Sequence, residues 1–163
     1  PNSVFNQTEY NLEGYTIALD GYSYREDNKA HFGGEGLVST MNDFSRFCEM
    51  LVNDGVYNQE RVLSSESIKT MTSKYTNGYP DPDEPGVFPD LAGYYLGFTF
   101  SVLENQDIDG TGAGVGSYGW SGYHNTHFWI DPQNKMYGLF MSRAIEFDFG
   151  IPAGLKKATY LKF

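Results

Sequence analysis

The residues best suited to chemistry in this chain lie between positions 117 and 131. This stretch opens with glycine, aromatic and small polar residues and continues as an alternating strand that ends at Asp131-Pro132. Glycine lets a backbone come close to a ligand, and backbone amides can stabilise a developing oxyanion. The stretch therefore predicts one edge of a hydrolase active site, and Ser121 is the hydroxyl residue at its centre.

Ser121 is nevertheless not predicted to be the nucleophile. A nucleophile elbow has the pattern Gly-x-Ser-x-Gly, but Tyr123 occupies the position of the last glycine in that pattern. No serine of the chain is followed three positions on by a lysine. The chain therefore carries no Ser-x-x-Lys pair.

Metal and phosphate sites are not predicted either. His124 and His127 are three residues apart, a spacing that suits a metal pair on a helix but places them on opposite faces of a strand. The glycines of 110–116 lack the spacing and the Lys-Ser/Thr pair of a phosphate loop. The segment 107–112 resembles the start of a calcium loop, but its twelfth position is Tyr118 instead of Glu. We expect no cofactor and no metal.

Composition excludes some classes of partner. The 163 residues are 40% hydrophobic and 17% aromatic, which predicts a globular chain with a core. The net charge of −10 argues against nucleic acid as a partner. No apolar run approaches the roughly 18 residues of a membrane span, and no signal peptide opens the chain. Pro1 is not an initiator methionine, so we expect the N-terminus to be a processing or expression boundary.

Two capped helices are predicted in the first half of the chain. Thr40 is the expected N-cap of the clearer one, with Asp43 three residues on and Gly55 as the C′ residue. Its apolar stripe consists of Phe44, Phe47, Cys48, Leu51 and Val52. Cys48, the only cysteine, is therefore expected to be buried and inert. Ser64 predicts the start of a shorter helix that carries Ile68 and Met71.

The second half predicts strands and a closing helix. Strands are expected at 94–104, at about 117–130 and at 135–143, with 131–134 as a hairpin turn. Further predicted elements are a strand at Tyr15–Leu19, a proline-rich acidic loop at 76–93, a glycine turn at 107–116, and a terminal helix over 151–163 that starts near Pro152 and carries Leu155, Ala158 and Leu161. Helices beside a three-stranded antiparallel run predict an α+β fold.

Four blocks of sequence occur together in one order. They are Gly33–Thr40 with Asp43-Phe44-x-x-Phe47; Met50-Leu51-x-Asn53-x-Gly55 through Val62-Leu63-Ser64 to Met71-Thr72; Tyr95-Leu96-Gly97-Phe98; and Tyr118-Gly119-Trp120-Ser121-Gly122 with Thr126-x-Phe128-Trp129-Ile130-Asp131-Pro132. The ordered set resembles the C-terminal part of the serine β-lactamase-like family, which includes class C β-lactamases, D-stereospecific peptidases and family VIII esterases. The resemblance covers about residues 31–163.

The resemblance implies roles for four residues. In that family a third motif, usually Lys-Thr-Gly or His-x-Gly, forms one wall of the site, and Trp120-Ser121-Gly122 matches it by position. The backbone N–H of Tyr123 would be an oxyanion donor, Ser121 would hydrogen-bond near the carbonyl, and Gly122 would permit close approach. Trp120 cannot hold a substrate carboxylate as a lysine would, so the Trp-x-Gly motif favours a neutral acyl ester, as in the family's esterases.

Two motifs of the family are missing from their expected places. Ser-x-x-Lys is absent from the chain, and the Tyr-x-Asn matches at 75–77 and 123–125 both follow the glycine-rich block that they should precede. We therefore expect 1–163 to be a single C-terminal portion whose catalytic N-terminal portion is its partner, and we expect the chain alone to be inactive. The compartment is not readable, although the resemblance favours a periplasmic or secreted protein.

Alternative interpretations remain at this point. The chain could belong to a non-catalytic member of the same family that binds a ligand or partner in the same cleft. It could also be an unrelated sugar-binding module whose stacking platforms are Tyr94, Tyr95, Tyr118, Trp120 and Tyr123. Glu35 in the glycine turn is a candidate general base, although a solvated turn residue is the simpler interpretation.

Overall fold

The computed structural model describes residues 9–12, 15–18, 39–76, 91–122, 125–142, 148 and 150–161. The chain divides into two compact units, 1–39 and 40–163. In the first unit, strands β1 (Glu9–Leu12) and β2 (Tyr15–Ala18) form an antiparallel hairpin. The strand predicted at Tyr15–Leu19 is β2, whereas β1 was not predicted. Glu35 and the glycine turn around it lie outside the described residues, as does most of the predicted loop 76–93.

Helix α1 (Met41–Val52) confirms the strongest prediction from local sequence. Thr40 is its N-cap, and the Thr40 hydroxyl accepts the Asp43 N–H at 3.1 Å. The predicted C′ residue was wrong by one position. Asp54 is the first residue past the cap with a left-handed backbone, at φ 54°, and Gly55 follows at φ 87°. A side chain on Gly55 would collide with the Leu63 carbonyl, 2.2 Å from an ideal Cβ.

The second capped helix is also confirmed. A short hairpin of β3 (Val56–Tyr57) and β4 (Glu60–Arg61) leads into α2 (Ser65–Met71). The Ser64 hydroxyl accepts the Ser67 N–H at 3.0 Å, which satisfies one of the free amides of the first turn. The buried residue of this helix is Ile68.

A five-stranded antiparallel sheet forms the centre of the second unit. Its strands lie side by side in chain order: β5 (Tyr94–Leu96), β6 (Ser101–Leu103), β7 (Tyr118–Gly122), β8 (Thr126–Asp131) and β9 (Met136–Phe140). Three strands were predicted in this region. The difference arises because two of the predicted strands contain a reversal of chain direction.

The reversals have local causes. Between β5 and β6, the Gly97 N–H donates to the Phe100 carbonyl at 2.8 Å, and Phe98 N–H donates to Met71 of α2. This contact with α2 leaves no room for a side chain at Gly97, where a Cβ would lie 2.3 Å from the Met71 carbonyl. Between β7 and β8, Asn125 adopts a left-handed backbone at φ 59°. The alternation of apolar residues continues through both turns and conceals them.

Two helices complete the unit. Helix α3 (Gln106–Asp109) occupies part of the predicted glycine turn, with Asn105 as its N-cap and Gly110 as a left-handed C-cap. Helix α4 (Gly150–Tyr160) confirms the closing helix, with Pro152 in the first turn, where proline is tolerated. Its predicted apolar face was wrong. The buried residues of α4 are Pro152 and Lys156, whereas Leu155 is exposed and Leu161, just beyond the helix, is 78% exposed.

The two faces of the sheet have different partners. The face that contacts α1, called the α1 face, carries Tyr95, Val102, Tyr118, Trp120, Phe128, Ile130, Tyr137 and Leu139. The opposite α4 face carries Tyr94, Leu103, Ser121, His127, Trp129 and Asp131. Most of the core lies on the α1 face, and it includes Cys48, which is fully buried as predicted. Burial raises the pKa of the Cys48 thiol to about 12, so this thiol is unreactive.

Within the described ranges, no helix combines the length and the apolar character that crossing a bilayer requires.

Candidate functional site

Trp120 lies on the α1 face at the middle of β7. It pairs with Phe128 of β8, and alternation along the strand places the Trp120 and Phe128 side chains on the same face. The Phe128 ring contacts Phe44 and Phe47 of α1, with centroid distances of 5.1 Å and 6.2 Å. Trp120 is 44% exposed, and Phe47 is also partly exposed. These four residues, called the aromatic patch, form an apolar surface with an open side.

Ser121 faces away from the aromatic patch. Its hydroxyl oxygen lies 2.7 Å from Nδ1 of His127, the residue directly opposite it on β8. Burial, assisted by the positive charge of Lys156, lowers the pKa of His127 to about 4. The imidazole is therefore neutral at neutral pH, and the pair is a hydrogen bond between two uncharged groups. The predicted role of Ser121 near a substrate carbonyl stays a prediction.

Gly122 ends β7, and a side chain there would require the Thr126 side chain to move. An ideal Cβ there would lie 2.3 Å from the Thr126 hydroxyl on the paired strand. Tyr123 and His124 lie outside the described residues, so the predicted role of the Tyr123 N–H as an oxyanion donor stays a prediction. After them, Asn125 is 2% exposed, and its N–H donates to the Gly122 carbonyl at 3.0 Å.

His127 is the residue of this region whose contact was missed by sequence reasoning. It was considered only as a metal ligand together with His124. A usable signal was present, because Ser121 and His127 flank the five residues 122–126 of a hairpin and pair across it. In the part of the chain that the structure describes, no three His, Cys, Asp or Glu residues are grouped so that they could hold a metal ion.

A buried ionic cluster lies on the α4 face of the sheet. The Lys156 ammonium donates to the Tyr94 hydroxyl at 2.7 Å and lies 3.7 Å from the Asp109 carboxylate, which accepts a hydrogen bond from Tyr94. Burial lowers the pKa of Lys156, and the negative charge of Asp109 opposes this effect. Nearby, the Asp131 carboxylate accepts hydrogen bonds from Tyr160, Asn134 and Gly114. Burial alone would raise the pKa of Asp131, but these hydrogen bonds lower it.

The proposed stacking platforms of a sugar-binding module are not assembled. Tyr118 is buried in the core, and its hydroxyl donates to the Leu51 carbonyl at 3.4 Å. The Tyr94 hydroxyl accepts a hydrogen bond from Lys156 in the ionic cluster, and the Tyr95 hydroxyl donates to the Thr72 carbonyl. Of the four described candidates, Trp120 alone is exposed, at 44%. The structure contradicts a platform built from this set.

The sheet and the capped helix α1 were both expected from the sequence resemblance. The Beta-lactamase family matches residues 3–148, and the chain belongs to this family. The resemblance recognised in the sequence is therefore confirmed, and so is the α+β fold.

Relatives show how much of the family's length the chain represents. Protein Rv1367c of Mycobacterium tuberculosis H37Rv is 33% identical over 113 residues, and an uncharacterized protein of strain CDC 1551 matches equally. That match covers 66% of this chain but only 28% of either relative.

Solved structures of the same fold are also larger. EstCE1, described as a hydrolase with promiscuous acyltransferase activity, matches 96% of this chain and 39% of its own, with a TM-score of 0.73 and 20% identity. A penicillin-binding protein homolog from Caulobacter crescentus matches 72% of this chain and 30% of its own, with a TM-score of 0.53 and 17% identity. At these identities the two structures establish the fold.

Proposed function

We propose that this chain is the C-terminal portion of a serine hydrolase that cleaves carboxylic esters through an acyl-enzyme. The observation that carries the proposal is Trp120, an exposed and uncharged ring at the third-motif position of a Beta-lactamase family member. Trp120 lines the acyl side of the cleft, and Phe47 and Phe128 continue that apolar wall. The nucleophile and its base are supplied by an N-terminal portion of the same protein.

In this reaction the chain stabilises the oxyanion, and the N-terminal portion supplies the nucleophile and its base. The base takes the proton of the serine hydroxyl in the N-terminal portion, and the serine oxygen bonds to the ester carbonyl carbon. The base then gives this proton to the alcohol, which leaves. Water then releases the carboxylic acid and restores the serine. In both steps the carbonyl oxygen becomes an oxyanion, to which the Tyr123 N–H donates, while Gly122 keeps the strand end free of a side chain.

The character of the aromatic patch supports an ester over a β-lactam or peptide. A substrate carboxylate is usually held by a cation through a charge-assisted hydrogen bond. An indole provides apolar area but no positive charge, so Trp120 favours a neutral acyl group. The likeness in fold to EstCE1, a hydrolase with acyltransferase activity, is in keeping with acyl chemistry.

The test compares the full-length gene product with residues 1–163 alone. We expect a fluorophosphonate probe to label the full-length protein stoichiometrically and the isolated chain not at all. We also expect turnover of neutral p-nitrophenyl esters to exceed turnover of a carboxylate-bearing cephalosporin. Labelling of the isolated chain would refute the two-portion account, and a preference for the cephalosporin would refute the ester assignment.

A second candidate is a non-catalytic family member that binds a ligand in the same cleft. It is favoured by one observation: the only serine of the third motif is hydrogen-bonded to His127 on the face away from Trp120. The upstream sequence of the gene decides between the two. A Ser-x-x-Lys pair there favours catalysis, and its absence excludes an acyl-enzyme of this kind.

A further inference from the structure

Hydrogen bonds of described residues hold the chain on both sides of positions 123–124. Only Tyr123 and His124 separate Gly122, at the end of β7, from the buried Asn125. The proposed function places its oxyanion donor at Tyr123, so whatever fixes the two ends of this turn sets the position of that donor.

Ser121 and His127 provide the first restraint. They face each other at the last-but-one pair of the β7–β8 ladder, and their side chains meet at 2.7 Å on the α4 face. His127 is largely shielded from water, and hydrogen bonds in such surroundings are stronger than hydrogen bonds in water. The contact therefore ties the two strands together one residue before Gly122.

Two further restraints hold the other end of the turn. Asn125 has a left-handed backbone, a conformation that asparagine adopts more readily than most other non-glycine residues. Its N–H donates to the Gly122 carbonyl, and its own carbonyl accepts the Ser142 hydroxyl at 3.0 Å. The backbone on both sides of positions 123–124 is thus anchored.

We propose that His127 is a positioning residue of the hydrolase, acting through Ser121 to fix the turn that carries the oxyanion donor. This inference rests on the proposed function. The Ser121 side chain lies against His127, on the face opposite Trp120. Its role is to transmit the position of His127 to the end of β7. A donor displaced by about 1 Å can cost roughly a hundredfold in rate.

The test is a double-mutant cycle in the full-length protein. We expect S121A and H127A each to lower kcat for a neutral ester by roughly 10- to 100-fold with KM changed less than twofold. The double variant should be no worse than either single variant, because one contact is lost in each case. H127N, whose amide can replace Nδ1 as the partner of Ser121, should recover most of kcat. Effects that multiply, or a loss in S121A without a loss in H127A, would overturn the proposal.

A second measurement separates this inference from the proposed function. Hydrogen exchange in the same full-length protein reports on this region without requiring turnover. It is measured on peptides that cover residues 118–131 and on a reference peptide that covers Val102. H127A should accelerate exchange at Asn125, while H127N should not, and the protection of Val102 in β6 should stay unchanged as a control for global folding. Unchanged exchange at Asn125 in H127A would refute positioning, even in a protein that hydrolyses esters. An inactive wild-type protein with faster exchange in H127A would refute only the ester assignment.

Discussion

At the scale of single residues, the proposed function predicts that Trp120 sets the substrate preference of the cleft. We expect W120K to lower kcat/KM for a neutral aryl ester by roughly tenfold and to raise it for a matched ester with a carboxylate by a similar factor. A charge-assisted hydrogen bond to the new ammonium contributes about 1.5–3 kcal/mol, and the apolar wall is lost. W120F keeps an apolar ring and is the matched control. Equal effects of W120K on both esters would contradict the role of Trp120 as an acyl wall.

His127 predicts a pH dependence of stability at the same scale. Its folded pKa of about 4 lies below the ordinary histidine pKa of 6.5, so between these values the unfolded chain binds more protons than the folded chain. The free energy of unfolding should therefore fall as the pH falls from 6.5 to about 4. Urea titrations of the wild type and H127N across this range measure the effect. The free energy of unfolding of the wild type minus that of H127N should decrease steadily towards low pH. A constant difference would show that His127 does not titrate as inferred.

At the scale of elements, two glycines should respond in opposite directions to alanine. A Cβ on Gly138 of β9 would lie 2.0 Å from the Trp129 ring, whereas a Cβ on Gly154 of α4 would meet nothing within 4 Å. We expect G138A to destabilise the sheet by roughly 1–3 kcal/mol through overpacking. G154A should stabilise by up to about 1 kcal/mol, because alanine favours a helix interior. Denaturation followed by tryptophan fluorescence distinguishes the two, and a harmless G138A would contradict the packing of Trp129.

The start of α1 offers a second prediction for an element. Thr40 caps the helix that carries Phe44 and Phe47 to the aromatic patch. T40A should reduce the free energy of unfolding by about 1 kcal/mol, and T40S should retain most of it, since a hydroxyl is the essential group. Chemical denaturation of the three proteins provides the comparison. Equal losses in T40A and T40S would show that the hydroxyl contributes nothing.

At the scale of the whole molecule, Lys156 links α4 to the sheet and to α3. Both side chains of its ion pair with Asp109 are only 6% exposed. Removing one partner of a buried pair leaves an unpaired charge, so K156A should destabilise the unit by roughly 3–5 kcal/mol. The neighbouring Lys157 is exposed, and K157A is the control. Thermal unfolding of both variants measures the difference, and similar melting temperatures would contradict a structural role for the cluster.

The sequence by itself determined the elements whose causes are local. A cap and an apolar stripe define α1, and alternation places strands along 94–140 with a turn at 131–134. The ordered motifs also identified the family, which the match over residues 3–148 confirms. These features depend on residues within a few positions of one another, so the chain reveals them without its tertiary contacts.

Only the tertiary structure decided which side chains meet across elements. The alternating pattern from 117 to 130 conceals a turn, and this turn places Ser121 against His127 instead of beside Trp120. Helix α4 buries Lys156 and exposes Leu155, against its apparent apolar face. In both cases the partners are distant in sequence or on another element. A buried polar group is stable only where such partners form hydrogen bonds with it. The local sequence pattern does not show which distant residues these partners are.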